Sequence, residues 1–141
     1  FSTMSEHWRL ATIAGGGSMF PCGDENLRLR GDGAQLKNAF LEFGTPVLAR
    51  MLEDSGARLD EFQRIFVHQV SVPYLDEMVR ATGLPRERIE HTVADFGNMA
   101  SASLPVAFAR AVARGAVGPG DRVLWVGLAS GISIGVLMMD L

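Results

Sequence analysis

Phe66–Ser71 has the sequence FVHQVS, and the organisation of the chain can be worked out from this stretch in both directions. The brief apolar run Ile65–Val67 predicts a buried strand. His68 follows at the carboxyl end of that strand, which is the edge where open α/β sheets build their sites. Pro73 then suits the first turn of a helix that continues over Tyr74–Thr82 and ends before a glycine. A strand and a helix are therefore expected to meet next to the histidine.

On the N-terminal side the sequence predicts a short strand, a loop and a long helix. Arg9–Ala14 is β-tending and runs into three glycines that stop it. Met19–Gly33 is rich in Gly, Pro, Asp and Asn, which is typical of an exposed loop. From Ala34 to about Asp54, apolar residues recur at three- and four-residue spacing, which predicts one face of an amphipathic helix.

The C-terminal side predicts further alternation of strands and helices. His91–Ala94 is expected to be a strand and Ala100–Arg114 a helix, followed by strands at Arg122–Val126 and Ile132–Met138. This order predicts an α/β fold: a mostly parallel, mixed five-stranded sheet with an antiparallel C-terminal hairpin, covered by helices. Because no repeat or linker interrupts residues 1–141, we expect them to form one unit.

Composition excludes several classes of protein. The 141 residues are 48% hydrophobic and 21% charged, and a formal net charge of −3 gives no reason to expect nucleic-acid binding. No apolar stretch reaches the eighteen or so residues of a membrane span. The single cysteine, Cys22, excludes an internal disulfide and a CxxC metal site and favours a reducing, cytoplasmic location. No spacing of His, Asp or Glu suggests a metal ion. Since translation does not start at phenylalanine, a chain beginning at Phe1 is expected to be a piece of something longer.

Three features could carry chemistry, and each also has a purely structural interpretation. His68 could be a partly buried histidine bonded to a backbone carbonyl. Asn98 follows Gly97 and precedes a predicted helix, where asparagine is a favoured N-cap. The glycines of Gly127–Gly135 could serve a tight turn with close backbone packing. The packing of an α/β fold permits all three to fall at the ends of adjacent elements but does not require it.

Four motifs from Phe66 to Leu141 come in an order that resembles the C-terminal portion of ketoacyl-ACP synthase III, a condensing enzyme of the thiolase superfamily. The matching pieces are HQVS, GNMASASLP, GDRVLWVG and ASGISIG. HQVS followed by Pro73 is more similar to the acyl-CoA condensing enzymes of long-chain olefin and β-lactone biosynthesis, which join two fatty acyl-CoAs in a non-decarboxylative Claisen reaction. The resemblance implies that residues 1–141 are the C-terminal half of a thiolase-like fold, with the N-terminal half absent from this chain.

The same resemblance implies a role for each matching residue. His68 and Asn98 would stabilise the oxygen of a thioester enolate, as two members of a Cys-His-Asn site. A backbone N–H of Ser130 or Gly131 would face the oxyanion of acyl transfer. Ser71 stands where the family has an asparagine facing the pantetheine arm, so a weaker substrate contact is expected there.

The nucleophile is expected to come from outside this chain. In the family the cysteine lies at the start of a buried helix, whereas Cys22 lies in a Pro/Gly-rich loop. The implied partner is an N-terminal half or a second chain that carries this cysteine, in a homo- or heterodimer. The implied substrates are coenzyme A or acyl carrier protein thioesters, with no cofactor, in lipid or polyketide biosynthesis.

Three alternatives stay open. The chain could belong to a ketoacyl-ACP synthase III, which condenses an acyl group with malonyl-ACP and releases carbon dioxide. It could be a non-catalytic partner subunit of a heteromeric condensing enzyme. It could also be a plain α/β binding domain whose motif match is a coincidence.

Overall fold

The computed structural model describes residues 1–18 and 23–141. Short 3-10 turns connect the main elements. In chain order the strands and helices are β1 (Ser2–Thr3), β2 (Ala11–Thr12), β3 (Arg30–Gly31), α1 (Gly33–Ser55), β4 (Arg64–Val67), α2 (Val72–Thr82), α3 (Val93–Phe96), α4 (Ser103–Ala113), β5 (Arg122–Ala129) and β6 (Ser133–Asp140).

The central sheet of the described residues has four strands in the spatial order β1-β6-β5-β4. β4 is parallel to β5, whereas β5 and β6 form an antiparallel hairpin and β1 is antiparallel to β6. β2 and β3 form a separate antiparallel pair. The predicted α/β class, the mixed sheet and the C-terminal hairpin are confirmed. Within residues 1–18 and 23–141 the sheet differs from the expected five mostly parallel strands, because parallel pairing there is limited to β4–β5 and one isolated bridge between Ile65 and Ile89.

The predicted strand at His91–Ala94 is wrong for a physical reason. The backbone N–H groups of Thr92 and Val93 both donate to the side-chain oxygen of Gln69, so they are not free for a sheet partner. Parallel pairing to β4 therefore ends at the Ile89 bridge, and the chain turns into the short helix α3.

The sheet separates two helical layers. Side chains of successive strand residues point to opposite faces. Ile65 and Val67 accordingly pack into the cluster that contains Leu48 of α1 and Met78 of α2. Phe66 faces the other way, into a cluster with α4. That second cluster is formed by Phe66, Ala107, Ala111, Val117 and Val123, with Phe108 and Trp125 at its edge.

Local sequence signals set where the helices begin and end. Asp32 caps α1, since its Oδ1 accepts hydrogen bonds from the backbone N–H groups of Ala34 and Gln35 at 3.0 and 2.9 Å. α2 ends at Gly83, whose φ of 70° is one that glycine adopts without strain. The two long predicted helices are confirmed to within about two residues, which is the ordinary uncertainty of helix ends.

Among the described residues, no helix combines the length and the apolar character that crossing a membrane requires.

Candidate active site

His68 lies at the end of β4 and is fixed by the sheet. Its backbone N–H donates to the carbonyl oxygen of Val126 at 2.9 Å, which extends the β4–β5 pairing one residue past Val67. Burial lowers the pKa of the imidazole, and a backbone interaction with Ala100 acts in the opposite direction. The ring is therefore neutral at pH 7, with one N–H donor and one acceptor nitrogen.

Asn98 lies in the segment between α3 and α4. Its Oδ1 accepts a hydrogen bond from the backbone N–H of Ala100 at 2.9 Å, so the orientation of the carboxamide is set by the backbone. The group that the side chain can present to a ligand is consequently its NH2, a donor. Asn98 is not the N-cap of the following long helix, because that position belongs to Ala102. It closes a local turn instead.

Ala100 connects these two residues. Its φ of 50° lies in the left-handed region, and it is the one non-glycine residue with positive φ in residues 1–18 and 23–141. Such a conformation costs an alanine roughly 1–2 kcal/mol. The backbone of Ala100 both donates to Asn98 and influences the pKa of His68. Strained backbone of this kind is concentrated at functional sites.

His68 and Asn98 line the same open cleft, whose volume is about 400 Å³. Six segments of the fold meet there: β2, the residues before β3, the first turns of α1, the end of β4, the α3–α4 connection with the first turn of α4, and the end of β5 with the turn after it. Most of the other lining residues are apolar or small, namely Ala11, Leu29, Leu36, Phe40, Val70, Ala100, Leu104, Gly127, Leu128 and Ala129, with Ser101 and Ser130 as further polar residues. An apolar cleft with a few convergent polar groups is typical of a small-molecule site.

The turn between β5 and β6 forms one side of the cleft. Ser130 is among the lining residues, and Gly131 follows directly after it. Gly131 has a φ of 109°, a backbone conformation that requires glycine. The turn is held by Ile132, which exchanges two backbone hydrogen bonds with Met4 at 2.8 and 3.1 Å. Of the two residues predicted for an oxyanion contact, Ser130 thus borders the cleft and Gly131 does not.

Ser71 lies beside the cleft but does not line it. Its hydroxyl oxygen accepts a hydrogen bond from the backbone N–H of Tyr74 at 3.3 Å and so caps α2. It borders a smaller, adjoining cavity of about 120 Å³, which is also lined by Lys37 and shares Leu36, Phe40 and Val70 with the cleft. The structure therefore brings together three of the five predicted site residues: His68, Asn98 and Ser130. Cys22 lies outside the described residues.

Gln69 is the residue that the sequence interpretation missed. Its side chain is 1% exposed, and all three of its hydrogen bonds are to backbone atoms. A sequence signal was available: Gln69 is a polar residue close to the end of the apolar run Ile65–Val67, at the position directly after the candidate histidine. Buried polar side chains are rare unless they are paired, which marks such a residue as structural or functional.

Comparison with known proteins gives one family and a consistent set of relatives. The C-terminal family of 3-oxoacyl-[acyl-carrier-protein] synthase III matches residues 52–141. A beta-ketoacyl-[acyl-carrier-protein] synthase III 2 of Streptomyces coelicolor is 32% identical over 120 residues, which cover 80% of this chain and 36% of that protein. A beta-ketoacyl-[acyl-carrier-protein] synthase III of Clostridium perfringens is 27% identical over 104 residues, which cover 71% of this chain and 32% of that protein.

Solved structures show the same fold. A 3-oxoacyl-(acyl-carrier-protein) synthase III has a TM-score of 0.91 at 18% identity, with 99% of this chain and 46% of that chain covered. OleA of Xanthomonas campestris has a TM-score of 0.82 at 18% identity, with 99% of this chain and 38% of that chain covered. The chain spans about a third of the length of the curated relatives that it matches.

Proposed function

The chain belongs to the 3-oxoacyl-[acyl-carrier-protein] synthase III C-terminal family, and from this premise we propose that it supplies His68 and Asn98 to a Cys-His-Asn site that condenses acyl thioesters. The cysteine would come from an N-terminal half or a partner chain packed against this one, in a homo- or heterodimer. The proposal rests on one observation: His68 and Asn98, from different elements, line the same apolar cleft.

The chemistry of the two side chains suits an oxyanion. The neutral imidazole of His68 has one N–H donor, and Asn98 presents its NH2 because its oxygen is held by Ala100. An imidazole N–H and a carboxamide NH2 that face the same thioester oxygen would stabilise the negative charge that develops on it. Removing one such donor typically costs about 2.7–4 kcal/mol of transition-state stabilisation.

The bonds and charges of the proposed step balance as follows. The cysteine carries the first acyl group as a thioester, and the second thioester becomes an enolate whose oxygen His68 and Asn98 hold. The enolate carbon attacks the acyl carbonyl carbon, a carbon–carbon bond forms, and the carbon–sulfur bond to the cysteine breaks. The cysteine leaves as a thiolate, and the product is a β-keto thioester.

The origin of the enolate distinguishes two candidate reactions. In the first, two acyl-CoAs are joined, and the enolate forms by transfer of an α-proton to a general base that the cysteine-bearing half would supply; HQVS followed by Pro73 favours this reaction. In the second, malonyl-ACP loses carbon dioxide and the electron pair of the broken bond becomes the enolate. The names of the curated relatives favour the second reaction. A third candidate is a non-catalytic subunit, for which neither side chain would matter to turnover.

The test uses this chain assembled with its cysteine-bearing half, incubated either with acyl-CoA alone or with acyl-CoA and malonyl-ACP. Release of coenzyme A and formation of a β-keto product are measured, together with carbon dioxide. We expect His68→Ala and Asn98→Ala each to lower kcat by about 10²–10³-fold.

Matched controls replace the same residue types at exposed positions outside the cleft: His91→Ala and Asn38→Ala. Both controls should retain the parent rate. Unchanged activity in His68→Ala would contradict the proposal and favour the non-catalytic subunit. Turnover that requires malonyl-ACP and yields carbon dioxide would select the second reaction.

A further inference from the structure

We propose that Gln69 is a positioning residue for this reaction, which holds the segment carrying Asn98 at a fixed place relative to His68. The inference rests on the proposed function. Gln69 follows His68 directly in the chain, and its three hydrogen-bond partners lie in the segment that leads into the α3–α4 connection. One side chain thus ties the strand end that carries the histidine to the segment that carries the asparagine.

These contacts use most of the hydrogen-bonding capacity of the Gln69 carboxamide. Its Oε1 accepts from the backbone N–H groups of Thr92 and Val93, both at 3.0 Å, and its Nε2 donates to the carbonyl oxygen of Glu90 at 2.6 Å. Both acceptor sites of the oxygen are therefore used. An apolar side chain of the same size would leave these three buried backbone groups without hydrogen-bond partners, which would lower the stability of the folded protein.

Asn98 follows Val93 by five residues, and the intervening chain consists mainly of the one-turn helix α3. A helix this short has little stability of its own. Its position must therefore come from its attachments. On the sheet side, the side-chain hydrogen bonds come from Gln69, and Val93 packs into the cluster that contains Ile65 and Val67.

The attachments on the α4 side are more exposed. Arg110 Nη1 lies 2.8 Å from Asp95 Oδ2, and its guanidinium also lies over the ring of Phe96, 5.1 Å from the centroid. Arg114 pairs with the buried carboxylate of Glu90, but the Arg114 side chain is 54% exposed. Ion pairs in contact with solvent contribute little and are screened by salt. The fully buried bonds of Gln69 are thus the ones expected to fix the spacing between His68 and Asn98.

The test is a double-mutant cycle on the assembled enzyme. Gln69→Met keeps the size of the side chain and removes all three hydrogen bonds, and we expect it to lower kcat by about 10- to 100-fold, the effect of a displacement of about 1 Å in a reacting geometry. KM should change by less than kcat, since the rest of the cleft lining is unchanged. In the Asn98→Ala background, Gln69→Met should have little further effect, because the group that it positions is gone.

Two further variants and a hydrogen-exchange measurement distinguish a positioning role from a general effect on stability. Thr82→Val removes a side-chain-to-backbone bond of 2.7 Å, from Thr82 Oγ1 to the Met78 carbonyl, away from the cleft, and should leave kcat unchanged. Gln69→Glu covers the case in which Gln69→Met folds poorly. It keeps oxygen acceptors for the N–H groups of Thr92 and Val93, so it should retain more activity than Gln69→Met. Hydrogen exchange of the Thr92 and Val93 amides should be slow in the parent and faster in Gln69→Met.

The outcomes distinguish this inference from the function on which it rests. If His68→Ala loses activity while Gln69→Met keeps the parent kcat, or if the effects of Gln69→Met and Asn98→Ala simply multiply, the positioning role is wrong and the proposed function stands. If His68→Ala retains full activity, the proposed function fails and the positioning role fails with it. A low kcat in Gln69→Met, accelerated exchange at Thr92 and Val93, and no further loss in the double mutant would support both.

Discussion

Replacing Ala100 with glycine should stabilise the fold and slow the proposed condensation. Ala100 has a φ of 50° and is bonded through its N–H to Asn98 Oδ1. An alanine in this conformation costs roughly 1–2 kcal/mol, which glycine does not incur. Glycine makes the unfolded chain more flexible, which opposes this gain by about 0.4–1 kcal/mol. The net change is between about zero and 1.6 kcal/mol in favour of the folded state, as the difference of these two ranges.

The same substitution elsewhere gives a control with the opposite sign. Ala109 lies in the interior of α4 and is exposed, so Ala109→Gly should destabilise the protein by about 1 kcal/mol through helix propensity alone. Taking about 0.8 kcal/mol for Ala100→Gly, the two variants should differ by about 1.8 kcal/mol, which is about 20-fold in the folding equilibrium. Urea denaturation at a fixed temperature, with the slope compared between variants, measures this difference.

The activity of the two variants should follow the reverse order. A glycine at position 100 keeps the N–H that Asn98 accepts, but it allows more backbone conformations at the residue between the two donors. Ala100→Gly should therefore lower kcat without loss of stability, and Ala109→Gly should lose stability without a change in kcat. If Ala100→Gly is as unstable as Ala109→Gly, residue 100 is not left-handed in solution and the reasoning is refuted.

Two further predictions concern His68 and Ser71. Burial lowers the pKa of His68 below its ordinary value of 6.5, so the unfolded chain takes up a proton at a higher pH than the folded chain does. The neutral, buried His68 should therefore contribute its full share to the free energy of unfolding above pH 6.5, and this share should be lost as the pH falls from 6.5 to the pKa of the folded protein. Urea denaturation at several pH values measures this loss. In His68→Gln the free energy of unfolding should no longer fall over this pH range for this reason. Activity that depends on the neutral ring should correspondingly persist below pH 6.5. Ser71→Ala removes the cap of α2 and should cost about 1 kcal/mol of stability. Its KM for acyl-CoA should equal that of the parent; a raised KM at unchanged stability would instead assign the hydroxyl to the substrate.

The sequence predicts well those elements whose signals are local. α2 follows from Pro73 near its start, Gly83 at its end and the apolar spacing between them. β4 follows from an apolar run too short for a helix, and the β5–β6 hairpin from two apolar runs around a glycine-containing turn. In each case the residues that decide the structure lie within a few positions of one another.

The sequence-based predictions are wrong where a residue far away in the sequence determines the local structure. The segment Thr92–Val93 has the composition of a strand, but its hydrogen bonds go to Gln69, which is 23 positions away from Thr92 and 24 from Val93. β1 is only two residues long and exists because it pairs with β6 at Ile134 and Ser133. Neither outcome can be derived from local propensity, because tertiary context overrides it for short segments.

The features of the candidate site likewise divide into those that the local sequence can predict and those that it cannot. The ends of the predicted elements permit His68 and Asn98 to lie at one edge of the fold, and both residues line the cleft, although the strand expected before Asn98 is not formed. That Ser71 caps a helix beside the cleft could also have been derived locally, since serine before a helical pattern is a favoured N-cap. The left-handed Ala100 could not, because alanine has no preference for that conformation.

The geometry around Ala100 and Gln69 also bears on why a site should be built from two donors on different elements. A donor fixed on one strand can be placed by the sheet alone, as His68 is through Val126. A second donor on a connecting segment needs its own attachments, and here they are a buried carboxamide next to the first donor and a strained residue beside the second. Losing the carboxamide would leave three buried backbone groups without partners, so this attachment also supports the fold. The left-handed alanine costs stability that a glycine would not, and this cost is accounted for if the spacing of His68 and Asn98 matters more to this chain than the free energy of folding that Ala100 forgoes.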